Sequence, residues 1–262
     1  GSKVSMTAGF AIVSARLMAE GHLTEPTNDA AYSGIVSLKS VRLCLFLAEL
    51  NGLGVFAADV GNAYLEAYTK EKIYIVAGPE FGELQGHTLV IERALYGLRT
   101  SGARWAERLA DSLRLLDFVP SKADPAVWMK DCQDHYEYVC VYVDDLFHMS
   151  RNPSIFFGKL KQEYKYKLKG VGPPKYHLGG DFFHDDDGTL TWGAQTYIKK
   201  TLGNYERMFG HKPKEYSSPL QKGDHPELDV SDLLDEKGIA QYQSVIGTLQ
   251  WAVTLGRFDI QC

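Results

Sequence analysis

The sequence predicts an α+β fold whose core follows the split βαβ, ferredoxin-like order. Two observations predict it. From residue 54 to about residue 180 the long elements run strand, helix, hairpin, helix, strand. Within that run, Trp105, Leu109, Leu113 and Leu116 form an apolar stripe at helical spacing, while residues 54–60 and 136–143 are compact apolar runs of strand length. At 262 residues the chain can bury a real core, as one large domain or two modest ones.

Each element has its own signal. Residues 10–19, FAIVSARLMA, alternate as a strand, with Ser14 and Arg16 on one face and Val13, Ala15 and Leu17 on the other. Residues 38–51 suit a helix capped by Ser37 and stopped at Asn51-Gly52. GVFAADV (54–60) is a short buried strand, and KIYIVA and TLVIER are two more around a Gly/Pro loop. Ser101 is a candidate cap for a helix reaching about residue 117. Residues 136–143, the Asp pair and LFHMS read as a β-hairpin, and Asn152-Pro153 opens another helix with proline at its favoured first position. HLGGDFFHDDDGTLTWG is a second hairpin, with DDDG (185–188) as its solvated turn. Helices near 195–209 and 239–255 follow, across a polar connector at 210–237.

Composition narrows the class. A hydrophobic fraction of 45% and a charged fraction of 23% are ordinary for a soluble globular protein. The most apolar stretch, 41–60, is broken by Arg42, Glu49 and Asp59, so no membrane span is expected. Four cysteines without C-x-x-C spacing point to reduced thiols in an intracellular setting. No secretory leader is read at the start, and Gly1-Ser2 reads as a cloning remnant on a piece of something longer. A net charge of −5 argues weakly against non-specific nucleic-acid binding, yet residues 159–169, KLKQEYKYKLK, carry a local +4. That run is either the exposed face of an amphipathic helix or a nucleic-acid contact. The eight histidines form no H-x-x-x-H pair, which argues against zinc.

YVCVYVDDLF (138–147) sets Asp144 beside Asp145 at the end of an apolar run. Neighbouring carboxylates repel and lose hydration beside a core, so something must offset the cost. A polar β-turn in water is one answer. A cation is the other. In the split βαβ order the strand carrying Asp59 can lie beside the Asp144-Asp145 hairpin, and three converging carboxylates suit Mg²⁺ or Mn²⁺. Two such ions would clamp the attacking and leaving oxygens of a phosphoryl transfer.

YVDDL (142–146) resembles the catalytic hairpin of reverse transcriptases, and ADVGNAYLEA (58–67) resembles their first metal-binding motif. ARLMAEGH, ALYGLRTSGARWAERL, PSKADPAVWMK, YHLGGDFF, YIKKTL and YQSVIGTLQWAVTLGRFDI follow in the order and spacing of the copia-type retrotransposon enzyme, over residues 11–260. The resemblance implies a right-hand polymerase. Fingers would occupy 1–53, palm 54–60, a fingers/palm insertion 61–99, palm and primer-grip hairpin 100–190, and a thumb-like helical region 191–262.

The resemblance also implies residue roles. Asp59, Asp144 and Asp145, with the Val60 carbonyl, would hold two Mg²⁺ or Mn²⁺ ions. Tyr64 would lie under the incoming sugar, and Tyr96, Gly97 and Ser101 would fall in the segment that walls the nucleotide site and touches the template. Arg16 would contact the triphosphate, and Lys169 would stand near it as a general acid for pyrophosphate. Leu178, Gly179 and Gly180 would grip the primer. Arg99-Thr100-Ser101-Gly102 and Ser14 depart from the family's Lys-Gln-Ser-Pro and lysine. The implied partners are a primed RNA or DNA template and deoxynucleoside triphosphates. The implied location is a cytoplasmic virus-like particle or the nucleus, and the oligomeric state stays open. Two rival readings remain: a domesticated, non-catalytic binding copy and a metal-dependent nuclease.

Overall fold

The computed structural model describes residues 3–7, 10–14, 18–19, 34–217, 228 and 230–261. The chain divides into two compact units, Gly1–Pro173 and Pro174–Cys262.

In the first unit, β1 (Lys3–Thr7) pairs antiparallel with β2 (Phe10–Ser14). The strand expected over 10–19 therefore ends at Ser14, residues 15–17 lie outside the described residues, and Met18-Ala19 are not in a strand. Helix α1 (Leu38–Leu50) starts where expected: the Ser37 hydroxyl accepts the Ser40 N–H, and Asn51 ends the helix. Then come β3 (Gly54–Val60), the hairpin of β4 (Tyr68–Val76) and β5 (Thr88–Arg93), and α2 (Ser101–Leu115). Strands β6 (Val119–Pro120), β7 (Val127–Asp131), β8 (Tyr136–Tyr142) and β9 (Asp145–Ser150) precede α3 (Pro153–Gln162) and β10 (Leu168–Gly172).

The main sheet has the order β10-β3-β9-β8-β7-β6, antiparallel throughout. Strands β3 and β8 are thus parallel, joined through α2 and separated by β9. Likewise β9 and β10 are parallel, joined through α3 and separated by β3. That is the split βαβ arrangement expected from the sequence.

The alternation of each strand sorts the two faces. Ala58, Val60, Val139, Val141 and Leu146 enter the core with Trp105, Leu109 and Leu113 of α2 and Phe156, Phe157 and Leu160 of α3. Helix α1 lies against β3, β8 and β9 through Val41, Cys44, Leu45 and Ala48. Asp124 ties that helix to the β6–β7 loop, accepting the Ser37 N–H at 3.0 Å and the Ser40 hydroxyl at 2.6 Å. His148 is buried against Phe156 with ring centroids 4.2 Å apart, and burial holds its pKa down at about 3, so the core contains a neutral imidazole. Cys44, Cys132 and Cys140 are free thiols, as expected.

Ser101 is not the cap of α2. It is the first helical residue, fully buried, and its hydroxyl donates to the Leu95 carbonyl at 2.6 Å; Thr100 holds the cap position without a side-chain capping bond, its hydroxyl donating to Glu71 Oε2 at 3.3 Å instead. The hydroxyl is committed to the preceding turn, which contains Tyr96 and Gly97.

The second unit holds β11 (Tyr176–His177), β12 (Gly180–His184) and β13 (Leu190–Gly193), then α4 (Gln195–Phe209) and α5 (Glu236–Thr254). The expected DDDG turn joins β12 to β13: the Gly188 N–H donates to the Asp185 carbonyl at 2.8 Å. The hairpin expected with the palm, up to residue 190, thus belongs to the same compact unit as the two C-terminal helices. Among the described residues, no helix is long and apolar enough to cross a membrane.

Candidate active site

The β8–β9 turn contains only Val143 and Asp144, because Tyr142 pairs with Asp145 across the hairpin. Val143 has φ 57°, a left-handed conformation that costs a β-branched residue about 1–2 kcal/mol. Two hydrogen bonds hold it there. The Trp105 indole N–H donates to the Val143 carbonyl at 2.7 Å, and the Val60 N–H donates to the Asp144 carbonyl at 2.8 Å. The turn is therefore fastened to the core helix on one side and to β3 on the other.

Register brings the third carboxylate. Asp59 lies directly opposite Asp145 on one side and directly opposite Lys169 on the other. Residues that face each other in an antiparallel pair share a sheet face, so Lys169, Asp59, Asp145 and Tyr142 form one row across four strands. Ala58, Val60 and Leu146 alternate to the core face. All three aspartates and Lys169 are at least partly accessible.

The electrostatics agree with this placement. The Asp145 carboxyl is pushed up to about 6, first by burial and then by the charges of Asp144 and Asp59. Tyr64 is likewise raised, by burial and then by Asp144 and Tyr96. It stands on a short 3-10 turn (Ala63–Glu66) entered through Asn62 at φ 57°. Its ring packs on Tyr96 at 4.8 Å between centroids, tilted by 42°. Gly61 completes the passage: a Cβ there would lie 3.0 Å from Lys169 Cε, and its N–H donates to the Lys167 carbonyl at 2.7 Å. The Lys169 side chain thus lies over Gly61, beside the carboxylates. Tyr96 accepts the Ala19 N–H at 2.8 Å, and a Cβ on Gly97 would collide with the Ala19 carbonyl. Arg16 lies outside the described residues.

The structure therefore gathers Asp59, Val60, Tyr64, Tyr96, Gly97, Asp144, Asp145 and Lys169 around one sheet end. Leu178, Gly179 and Gly180 are in the other unit, where Leu178 (φ 48°) and Gly179 (φ 82°) make the two-residue turn between β11 and β12. There a Cβ on Gly180 would collide with the Trp192 indole, and one on Gly179 would lie 3.0 Å from Trp251 Nε1. Sequence reasoning missed two supports. Trp105 lies in the core, as its stripe position predicts, and its buried indole N–H also demands an acceptor, found at Val143. Gly61 follows Asp59-Val60 as a close-approach glycine, a signal visible in the sequence.

An all-oxygen set of three carboxylates fits hard divalent cations, and the raised Asp145 marks the burial cost and, after it, the carboxylate repulsion that a cation would offset. A consequence is measurable without metal. The folded protein binds the Asp145 proton more tightly than the unfolded chain, whose carboxyl titrates near 3.8, so stability falls as pH rises from about 4 to about 6. In chelator at pH 7, Asp145→Asn is expected to raise unfolding stability by on the order of 1 kcal/mol, discounted for partial exposure. Thermal unfolding with and without Mg²⁺ checks this; equal or lower stability of the variant would remove the repulsion.

A putative transposon Ty5-1 protein of Saccharomyces cerevisiae is 29% identical over 209 residues, covering 77% of this chain and 65% of that protein. A retrovirus-related Pol polyprotein from transposon TNT 1-94 of Nicotiana tabacum is 27% identical over 88% of this chain and 18% of its own length. The transposon Ty1-DR4 Gag-Pol polyprotein of S. cerevisiae is 25% identical over 94% and 16%. The chain thus spans under two thirds of the first relative and less than a fifth of the polyproteins. The profile of the reverse transcriptase (RNA-dependent DNA polymerase) family matches residues 11–215, and with these relatives it shows that the chain belongs to that family, in its copia-type retrotransposon branch.

Proposed function

We propose that this chain is the RNA-directed DNA polymerase of a retrotransposon polyprotein, extending a primer 3′-hydroxyl with deoxynucleotides on an RNA or DNA template. The observation that carries this reading is the register pair Asp59–Asp145, with Asp144 on the adjoining fixed turn. Such a set has no use in a protein that only binds. Two Mg²⁺ or Mn²⁺ ions, when bound, would supply the positive charge that stabilises attacking and leaving oxygens.

The chain's own residues do the rest. Asp59, Asp144 and Asp145, with the Val60 carbonyl, would hold the cations at the sheet end. Tyr64, packed on Tyr96, floors the sugar position, and Gly97, lacking a Cβ, lets the Ala19 backbone close on the turn beside it. Lys169, over Gly61, offers Nζ as proton donor to the departing pyrophosphate. Ser101, buried, acts by fixing the Tyr96-Gly97 turn rather than by touching the template. Arg16 would engage the triphosphate, and the Leu178-Gly179-Gly180 turn the primer. The five exposed lysines of 159–169 extend a basic surface from α3 to Lys169, toward nucleic-acid phosphates. Positioning and electrostatics account for the rate.

Primer extension with Mg²⁺ or Mn²⁺, run beside release of nucleotides from labelled duplex, tests the reading. Templated extension is expected. Nucleotide release without extension would make the protein a nuclease; template binding without either reaction would make it a non-catalytic copy.

A further inference from the structure

The turn between β7 and β8 has a construction that polymerase chemistry does not use. Its sequence is Asp131-Cys-Gln-Asp-His-Tyr-Glu137. The turn is closed by its backbone: the Cys132 N–H donates to the His135 carbonyl at 2.9 Å, and the Asp134 N–H to the Cys132 carbonyl at 3.0 Å. Gln133 takes φ 74°, and its N–H is held by the Asp131 carboxylate at 2.8 Å. This folding back brings the Cys132 sulfur, a ring nitrogen of His135 and a Glu137 carboxylate oxygen within 4.8 Å of one another.

The histidine is prepared for a ligand. Its side chain is only 8% exposed. Nδ1 lies 2.7 Å from Asp134 Oδ1, and a carboxylate can only accept, so Nδ1 carries the hydrogen. The other Asp134 oxygen is held by Arg151 at 2.6 Å. With the hydrogen on Nδ1, the neutral tautomer presents a lone pair at Nε2, and this atom is buried with no hydrogen-bond partner. An unsatisfied buried acceptor is costly. A carboxylate that orients a histidine through Nδ1 while Nε2 takes a cation is how proteins fix metal-binding imidazoles. Lys130, opposite Glu137 across the strand pair, directs its ammonium to the Leu116 carbonyl at 3.0 Å and toward Asp117.

We propose that Cys132, His135 and Glu137 form a zinc site, with Asp134 and Arg151 orienting the histidine. Mixed sulfur, nitrogen and oxygen ligation suits Zn²⁺ and disfavours Mg²⁺, which prefers oxygen alone. Three protein ligands leave the fourth tetrahedral position to water. The site lies at the far end of β8 from Asp144, and the strand between them spans about 20 Å, so neither site can serve the other's metal. It does not depend on the polymerase reading. A search for paired histidines misses it because it contains one histidine in a C-x-x-H-x-E pattern.

The reduced 262-residue chain, stripped with chelator, is titrated with Co²⁺ as a spectroscopic stand-in and then with Zn²⁺. One equivalent of Co²⁺ is expected to give tetrahedral visible bands and a thiolate-to-cobalt charge-transfer band, both erased by Zn²⁺. Cys132→Ser and His135→Gln are expected to abolish the charge-transfer band while far-UV circular dichroism stays unchanged. Asp134→Asn keeps all three ligands and is expected to weaken affinity by roughly 10–100-fold. Asp144→Asn is expected to leave the band intact, which separates this site from the carboxylates. Absence of the band in the wild-type chain, or its survival in Cys132→Ser, would overturn the proposal.

Discussion

Asp144→Asn is expected to abolish nucleotide addition while the protein folds and binds primed template. The amide keeps the size and shape of the carboxylate but not its charge. Loss of one anionic ligand removes several kcal/mol of charge stabilisation, or roughly a thousandfold in rate. The turn itself does not depend on that side chain. Its conformation rests on the Trp105 indole bonded to the Val143 carbonyl and on the Val60 N–H bonded to the Asp144 carbonyl. The variant also sheds one of the charges that raise Asp145, so its metal-free stability should match or exceed that of the wild type. Single-nucleotide extension, together with thermal unfolding in chelator, measures both halves. Extension near the wild-type rate would take Asp144 out of the site.

Tyr64→Val is expected to raise ribonucleotide incorporation far more than it lowers deoxynucleotide incorporation. The ring is set on its 3-10 turn beside Asp144 and braced by Tyr96 at 4.8 Å. A planar ring held there would leave room for a 2′-hydrogen and would collide with a 2′-hydroxyl. Discrimination by collision penalises the wrong substrate while adding little to the right one. Removing the ring should therefore collapse the preference, by tenfold or more if the clash amounts to about 1.4 kcal/mol. A tyrosine serving only the core would behave differently, losing stability and both activities together. Matched deoxy- and ribonucleotide extension on the two proteins distinguishes these outcomes, and an unchanged ratio would sink the gate.

Much of this arrangement was legible because its signals are local. The stripe Trp105, Leu109, Leu113 and Leu116 announced α2 and its buried face, and Ser37 announced the start of α1. The strand order followed from the sequence of element types, since a split βαβ run has few ways to close. What was not legible depends on the third dimension. Ser101 resembles a cap by type, but its hydroxyl found the Leu95 carbonyl six residues upstream. The left-handed Val143 defies its own residue preference, and only the distant Trp105 and β3 explain it. The placement of the β11–β13 hairpin in the C-terminal unit depends on packing that no local pattern encodes.

On the proposed polymerase reading, the direct opposition of Asp59 and Asp145 makes enzymatic output a gauge of molecular integrity. Strands alternate sides with a period of two, so a shift of β3 by a single position would send Asp59 into the layer occupied by Ala58, Val60 and Leu146 and bring an apolar residue out in its place. A lone charge forced into that layer would be prohibitively unfavourable. Misregistered chains would therefore have no partially working form: each molecule in a refolded sample would be either competent or silent. Active-site titration of such a sample would count correctly assembled molecules one by one, and a low turnover per milligram would report the fraction misassembled rather than a slower catalyst.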